Sequence, residues 1–316
     1  MDVDVSGINV EINYFNLNKE LFESKDLKAT NKEMYDRFGD IYEIYISNCL
    51  KMGSATQMGV EDRLKAFVTN ADMKMVAADI EKVFGDLSEV KTKINEAFKH
   101  LKYYYDDGRM PKNILFYNST FEYGVISYKE NIGIGLEMYL GPNSDVIKRL
   151  PPIEFPEYQK EKMTAEYMVV DVMRSWFEHH YMDEEVPEDF MGNLIHYGKI
   201  MYMLDALIPN EKDFIKIRYS RDQLEWVESN ENNIWKVIVE SEILFTTDVK
   251  VIRNYFGDGP FTPGLPSGAP PRAGMYIGWK MVRDFMEENP EMKLPELMAI
   301  KPGEYRKIYR SYNPEN

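Results

Sequence analysis

The sequence predicts an α+β fold, mostly helical with a small antiparallel sheet, in a single domain spanning residues 1–316. Three observations predict it. Apolar residues recur at helical spacing from Asn31 to Tyr105, strand-like runs follow between Ile114 and Gly141, and the helical period returns from Pro156 onward. The expected parts are an N-terminal strand and helices (1–108), a β-meander (109–142) and C-terminal helices (143–316), with no linker that divides them cleanly.

Val3 to Tyr14 alternates apolar and polar residues in two runs, the period of a half-buried strand. Asn31 is placed to cap a helix through Met52, with Met34, Phe38, Ile41, Ile44 and Ile46 to Leu50 on one face. Three more helices follow, with a break at Gly85-Asp86. The turn cluster "YYDDGRMPKN" ends this part. "ILFYNS", "YGVISY" and "NIGIGLEMYLG" read as an antiparallel meander, the last alternating Ile132, Ile134, Leu136, Met138 and Leu140 with smaller or polar residues. From Pro156 to Tyr181 the pattern is that of one long helix, and a second runs to Pro209. Ser220 and Gln223 have capping-box spacing at the start of a third, with "NNIWKVIVESEILF" after it. Residues 257–271, "GDGPFTPGLPSGAPP", hold too many Pro and Gly for regular structure, and so long a loop is commonly functional.

Composition narrows the function. The chain has 53 Asp+Glu against 38 Lys+Arg, a net charge of −15, and no basic stripe, which argues against nucleic acid as a partner. Anionic headgroups would repel such a surface, so membrane association calls for an anchor. One cysteine, Cys49, rules out an intramolecular disulfide and any multi-cysteine zinc site, and its apolar surroundings suit a buried small side chain. No apolar run approaches the ~18 residues of a membrane span. The chain as given reads as soluble.

Metal chemistry has one candidate stretch, "FEHHYMDEE", where Glu178, His179, His180, Asp183, Glu184 and Glu185 crowd a helix end, with His196 further on. Adjacent histidines point about 100° apart on a helix and cannot both face one ion. A solvated C-terminus, where histidines suit the helix dipole, accounts for them more simply. There is no GxSxG elbow, and "IGIGLEM" lacks the rest of a dinucleotide fingerprint. The sequence therefore supplies no catalytic set and calls for no cofactor.

The stretch "PRAGMYIGWKMVRDFM", with "IGLEMYLG", "LIHYGKIMYMLDALIP", "IKIRYSRDQLEWVESNENNIW" and "SEILFTTD", resembles the gliding-motility lipoprotein GldB family of Bacteroidetes. The blocks run in the family's order from Ile132 to Met286, and "DVDVSGINVEINYF" is similar to the segment after the family's lipidated cysteine. Arg272, Gly274, Gly278, Trp279, Tyr197, Gly198, Asp205, Trp226 and Trp235 stand in these blocks as signature positions of structural character. The resemblance implies a lipid-anchored envelope protein, and with no catalytic set in the sequence the expectation is a non-enzymatic one that supports a gliding- or secretion-related, or more general envelope, apparatus through protein contacts. It would face the periplasm, its signal peptide removed, held by an N-terminal lipid anchor absent from this chain and working through envelope protein partners.

A weaker similarity is to gluzincin-type zinc metallopeptidases, which would make the architecture zincin-like. Here "LIHYG" has Tyr197 where that family has Glu, and the HExxH motif is missing. The competing reading is a metal-dependent hydrolase with a non-standard site, in which His179, His180 or His196 converges with Glu178 or Glu137. Gly274 and Gly278, one helical turn apart, leave a smooth stripe for close helix packing. Arg272, a cation at a helix start, is expected to bond a carboxylate or loop carbonyls.

Overall fold

The structure is a computed structural model and describes residues 3–182 and 186–314. Its contacts gather into two compact units, one made of Met1–Gly7, His100–Asp107 and Phe177–Asn316, the other of Ile8–Lys99 and Gly108–Trp176. The chain is mostly helical, with one small sheet among the described residues.

That sheet belongs to the second unit. Strands β1 (Asn13–Asn16), β2 (Asn113–Tyr117), β3 (Val125–Tyr128) and β4 (Asn131–Gly135) lie in the order β1-β2-β4-β3. The expected antiparallel meander is corrected to a mixed sheet: β1 and β4 both run parallel to β2, and only β3 is antiparallel to β4. Burial explains the order. β2 and β4 are buried along nearly their whole length and take the centre, while β3 is half-buried and takes an edge. The tight turn after Tyr128, with Lys129 at φ 49°, fixes the β3–β4 hairpin, and β4 then inserts beside β2.

Three other expectations change. The strand read from Val3 pairs only over Asn13–Asn16, because its partner β2 offers no longer ladder. The alternation through Leu140 is strand only to Gly135, and Leu136–Tyr139 is a 3-10 turn. Pro156 to Tyr181 is not one helix. After Glu157–Lys160 the backbone turns back, Gly141 N–H bonding Met163 O at 2.7 Å and Leu140 bridging Thr164, before Met168–Tyr181 resumes the helix. Lys160 anchors this break, its buried ammonium donating to Leu150 O at 2.7 Å.

Asn31 does not cap its helix, which starts four residues earlier. The cap of Leu27–Phe38 is Asp26, whose carboxylate accepts from the Lys28 and Ala29 amides. Asn31 instead lies buried inside, bonding Ala55 O and accepting from Tyr42 Oη. Gly39 at φ 54° breaks the helix. Asp40–Ile44 follows and widens into a π-helical turn, Tyr45–Cys49, that puts Tyr42, Tyr45 and Cys49 in the core with Leu115 and Tyr117 of β2.

In the first unit Phe190–Leu207 is buried nearly all round and carries the packing. Around it stand Arg221–Glu240, opened by a complete Ser220/Gln223 capping box and continuous through "NNIWKVIVE", and Val249–Phe256, Ala273–Glu288 and Leu294–Ala299. No helix among the described residues is long and apolar enough to cross a membrane.

Candidate functional site

Two of the signature residues of the first unit, Gly198 and Gly278, meet where Phe190–Leu207 crosses Ala273–Glu288. Gly198 and Gly278 bring the two backbones into direct contact. A Cβ on Gly198 would lie 2.1 Å from the Gly278 carbonyl oxygen, and one on Gly278 would lie 1.9 Å from Leu194 O. Gly274, one turn earlier, faces the ring of Phe256, 2.7 Å from where its Cβ would stand. Tyr197 stacks on that same ring, centroids 5.3 Å apart, which is its place in the fold.

Next to this crossing lies a buried set of charges. Asp205 Oδ1 accepts from Lys216 Nζ and Arg283 Nη2, and its Oδ2 accepts from Trp279 Nε1 and Arg283 Nε, all at 2.8 Å. Arg283 Nη1 also reaches Asp213 Oδ2 at 2.8 Å, and the guanidinium lies 3.8 Å from the centre of the Trp279 ring. Two carboxylates thus meet two cations. Burial would raise the Asp213 carboxyl, but Arg283 and then Lys216 outweigh it and hold it below its ordinary value. All four lone-pair positions of Asp205 are taken, so it has no capacity left to accept a substrate proton. The chemistry of this set is structural, and losing one member would leave a buried charge uncompensated at about 3–5 kcal/mol.

Arg272 sits at the entrance of the helix with φ 61°, a left-handed conformation, and its Nη2 meets Asp258 Oδ1 at 3.3 Å. The loop before it is held from inside. Thr262 Oγ1 donates to Pro270 O at 2.6 Å and accepts from Ala273 N at 3.2 Å, supplying the cap that Arg272 cannot, while Tyr219 Oη donates to Pro271 O at 2.7 Å. Trp226 stands against the same loop, its Nε1 2.9 Å from where a Cβ on Gly268 would be. Trp235 meets Tyr312 edge-on at 5.1 Å and Tyr309 at 6.0 Å, tying down the segment that carries these two tyrosines.

The histidine stretch is not gathered into a metal centre. His179 and His180 end the Met168–Tyr181 helix with rings at 85° to each other, and His196 is buried beside Tyr197. Asp183, Glu184 and Glu185 lie outside the described residues. Among the described residues no group of three His, Cys, Asp or Glu side chains is placed to hold a metal ion.

The second unit holds a polar centre of its own, at the end of β4. Thr120 and Phe121, at φ 59° and 64°, form a left-handed turn that aims two amides at one point. Glu137 fills it: Oε1 accepts from Ser119 N at 2.8 Å, from Phe121 N at 3.0 Å and from Ser119 Oγ. Gly135 makes room, since a Cβ there would stand 2.3 Å from Tyr123 O. The residue is fully buried, and Oε2 has no hydrogen-bond partner among the described residues. Burial pushes the carboxyl up to about 7, against the smaller opposing effect of the Ser119 and Phe121 donors. Beside it Tyr45 and Tyr117 stack at 4.5 Å, and Cys49 is pushed up to about 12 by burial, so its thiol stays protonated and inert as a nucleophile.

The structure joins Asp205 to Trp279 and Gly198 to Gly278, pairs far apart in sequence. Sequence reasoning missed Arg283, Lys216 and Asp213. Their signals were the one-turn spacing of Trp279 and Arg283 and of Asp213 and Lys216, which shows only once the helices are phased.

A family model described as "Gliding motility protein GldB" matches residues 1–314. No curated protein and no solved structure matches the chain, and the similarity to zinc metallopeptidases gains no support from these comparisons.

Proposed function

Because the chain belongs to the gliding motility protein GldB family, we propose that it works as a gliding-motility-related lipoprotein of the cell envelope. In this reading it is held by an N-terminal lipid, faces the periplasm and acts through contacts with other envelope proteins rather than by catalysis. The observation that carries the reading is the extent of the match, which takes in both units, residues 1–314.

Two features support it. The signature positions Asp205, Trp279, Gly198 and Gly278 are consumed in packing and in a saturated ionic set, which is what a rigid scaffold needs and what a proton-transfer site cannot spare. A net charge of −15 disfavours adsorption to anionic lipid, so a covalent lipid is the attachment that fits.

Fractionation of cells making the native protein tests the attachment. Membrane-bound protein should resist high salt and be released by detergent, and release by salt alone would overturn the anchor. Cross-linking before extraction should carry the chain into larger complexes with envelope proteins. A chain that stays monomeric under those conditions would count against the contact reading.

A further inference from the structure

Gly259 to Pro271 is the longest stretch of the chain without a charged residue, in a sequence of which 29% is charged. The two charges that bracket it, Asp258 and Arg272, meet at 3.3 Å, so the ends of the loop are drawn together and its base is neutralised. This is the closed shape of an Ω-loop.

Inside, the loop is fixed by two β-turns. Leu265 N–H reaches Thr262 O at 3.4 Å, and Ala269 N–H reaches Pro266 O at 3.1 Å. Gly264 and Gly268 hold the third position of each turn at φ 91° and 95°, where a side chain would be strained. Thr262 is buried and, with Tyr219, pins the turns to the helices behind them. Outside, the tip is bare: Phe261 is 58 % exposed, and Pro260, Pro263 and Pro266 are exposed with it. Phe245 and Val249 of the same unit are more exposed still, but Glu242, Asp248 and Lys250 stand beside them in the chain and are exposed too. At the loop the apolar surface comes without charge.

Such a tip suits the interface of a lipid bilayer. Leaving water costs most for charges and for backbone N–H groups that find no acceptor. This stretch has no charge, and five of its residues are prolines, which carry no N–H. Its turns are already formed, so insertion of the Phe261 ring orders little that is not ordered beforehand. Concentration favours the bilayer over an apolar pocket on a protein. A chain held by lipid keeps the loop within reach of the membrane at all times, so a weak contact suffices.

We propose that the tip of this loop, Pro260 to Pro266, is a second membrane contact, with Phe261 entering the bilayer interface. The inference rests on the reading of the chain as a lipid-anchored protein, and it adds orientation to attachment. A chain held at one end pivots about its tether, whereas a chain held at the tether and at the loop presents a fixed face of the first unit to its partners.

The test supplies the tether chemically. An added N-terminal cysteine on the full chain is coupled to maleimide lipid in phosphatidylcholine vesicles, and Cys49, being buried, stays out of the reaction. Phe261→Trp places a reporter at the tip, and Ile153→Trp places one at a site 93 % exposed in the second unit. With lipids brominated in their acyl chains, the Phe261→Trp variant should lose most of the emission it has beyond the parent, while the Ile153→Trp variant keeps its own. No quenching of the Phe261→Trp variant once coupled would overturn the proposal and leave the tip to a protein partner. Equal quenching of both reporters would overturn it too, since the chain would then lie on the vesicle without choosing a face. A blue shift of the Phe261→Trp emission that grows with protein concentration in the absence of vesicles would assign the tip to a second copy of the chain. None of these outcomes alters the salt and detergent behaviour of the native protein, so the anchor and the loop contact fail separately.

Discussion

Glu137 is enclosed on all sides, and its protonation is tied to the stability of the second unit. Its folded pKa is raised from 4.5 to about 7, chiefly by burial. Between those values the unfolded chain has lost the proton while the folded chain keeps it. Stability therefore falls as pH rises from 4.5 toward 7, and this contribution is flat below and above that window. The change is on the order of 3 kcal/mol. Urea midpoints taken across the range should show the slope, and Glu137→Gln should flatten it by keeping a neutral acceptor against the Ser119 and Phe121 amides. A slope unchanged in the variant would place the titration elsewhere. In the sequence this glutamate looked like an outward member of an alternating strand. Nothing local marks the left-handed turn at Thr120-Phe121 that captures it, because neither residue type favours a positive φ and the carboxylate it meets lies sixteen residues beyond Phe121.

The crossing of Phe190–Leu207 with Ala273–Glu288 sets two opposing effects of a methyl group against each other. Alanine is the better helix former by about 1 kcal/mol, so Gly278→Ala would stabilise an isolated helix. Here the new Cβ would stand 1.9 Å from Leu194 O, against a backbone atom that cannot turn aside. We expect the clash to win, with a loss of about 3 kcal/mol in the denaturation free energy. Gly198→Ala strikes the same crossing, against Gly278 O, so the double variant should lose less than the two single losses combined. A neutral or stabilising Gly278→Ala would show that the helices are farther apart. The spacing of Gly274 and Gly278 was legible in the sequence as a packing stripe. The identity of the partner helix was not, since a glycine says that something comes close without saying what.

Across the whole molecule, the two units differ in how their pieces are strung. Residues 8–176 contain all of the second unit. As a fragment they should unfold cooperatively and keep the Glu137 pH slope. Residues 177–316 lack a piece of the first unit: Tyr105, whose ring lies 4.5 Å from Tyr181 and 5.9 Å from Phe177, belongs to the segment His100–Asp107. That fragment should be markedly less stable, and circular dichroism during thermal melting of both fragments checks the pair. Helical content, the turn clusters and the presence of three strands between residues 113 and 135 were legible from periodicity, which is a local signal. Strand order was not, because two parallel pairings join segments whose sequences are alike in pattern. The Asp205 set was hidden for a similar reason, its members coming from three separate helical segments.

The pairing of β1 with β2 also has a consequence in time. Asn13 lies opposite Asn113, so the first strand of the chain must wait for a partner a hundred residues downstream. Closing so long a loop is slow relative to forming the β3–β4 hairpin, whose register spans only a short turn. We expect the hairpin and then β2 to form first during refolding and β1 to arrive as the last strand of the sheet. Until then the edge of β2 stays uncovered, and that interval is when the chain is most open to pairing with a neighbour's strand.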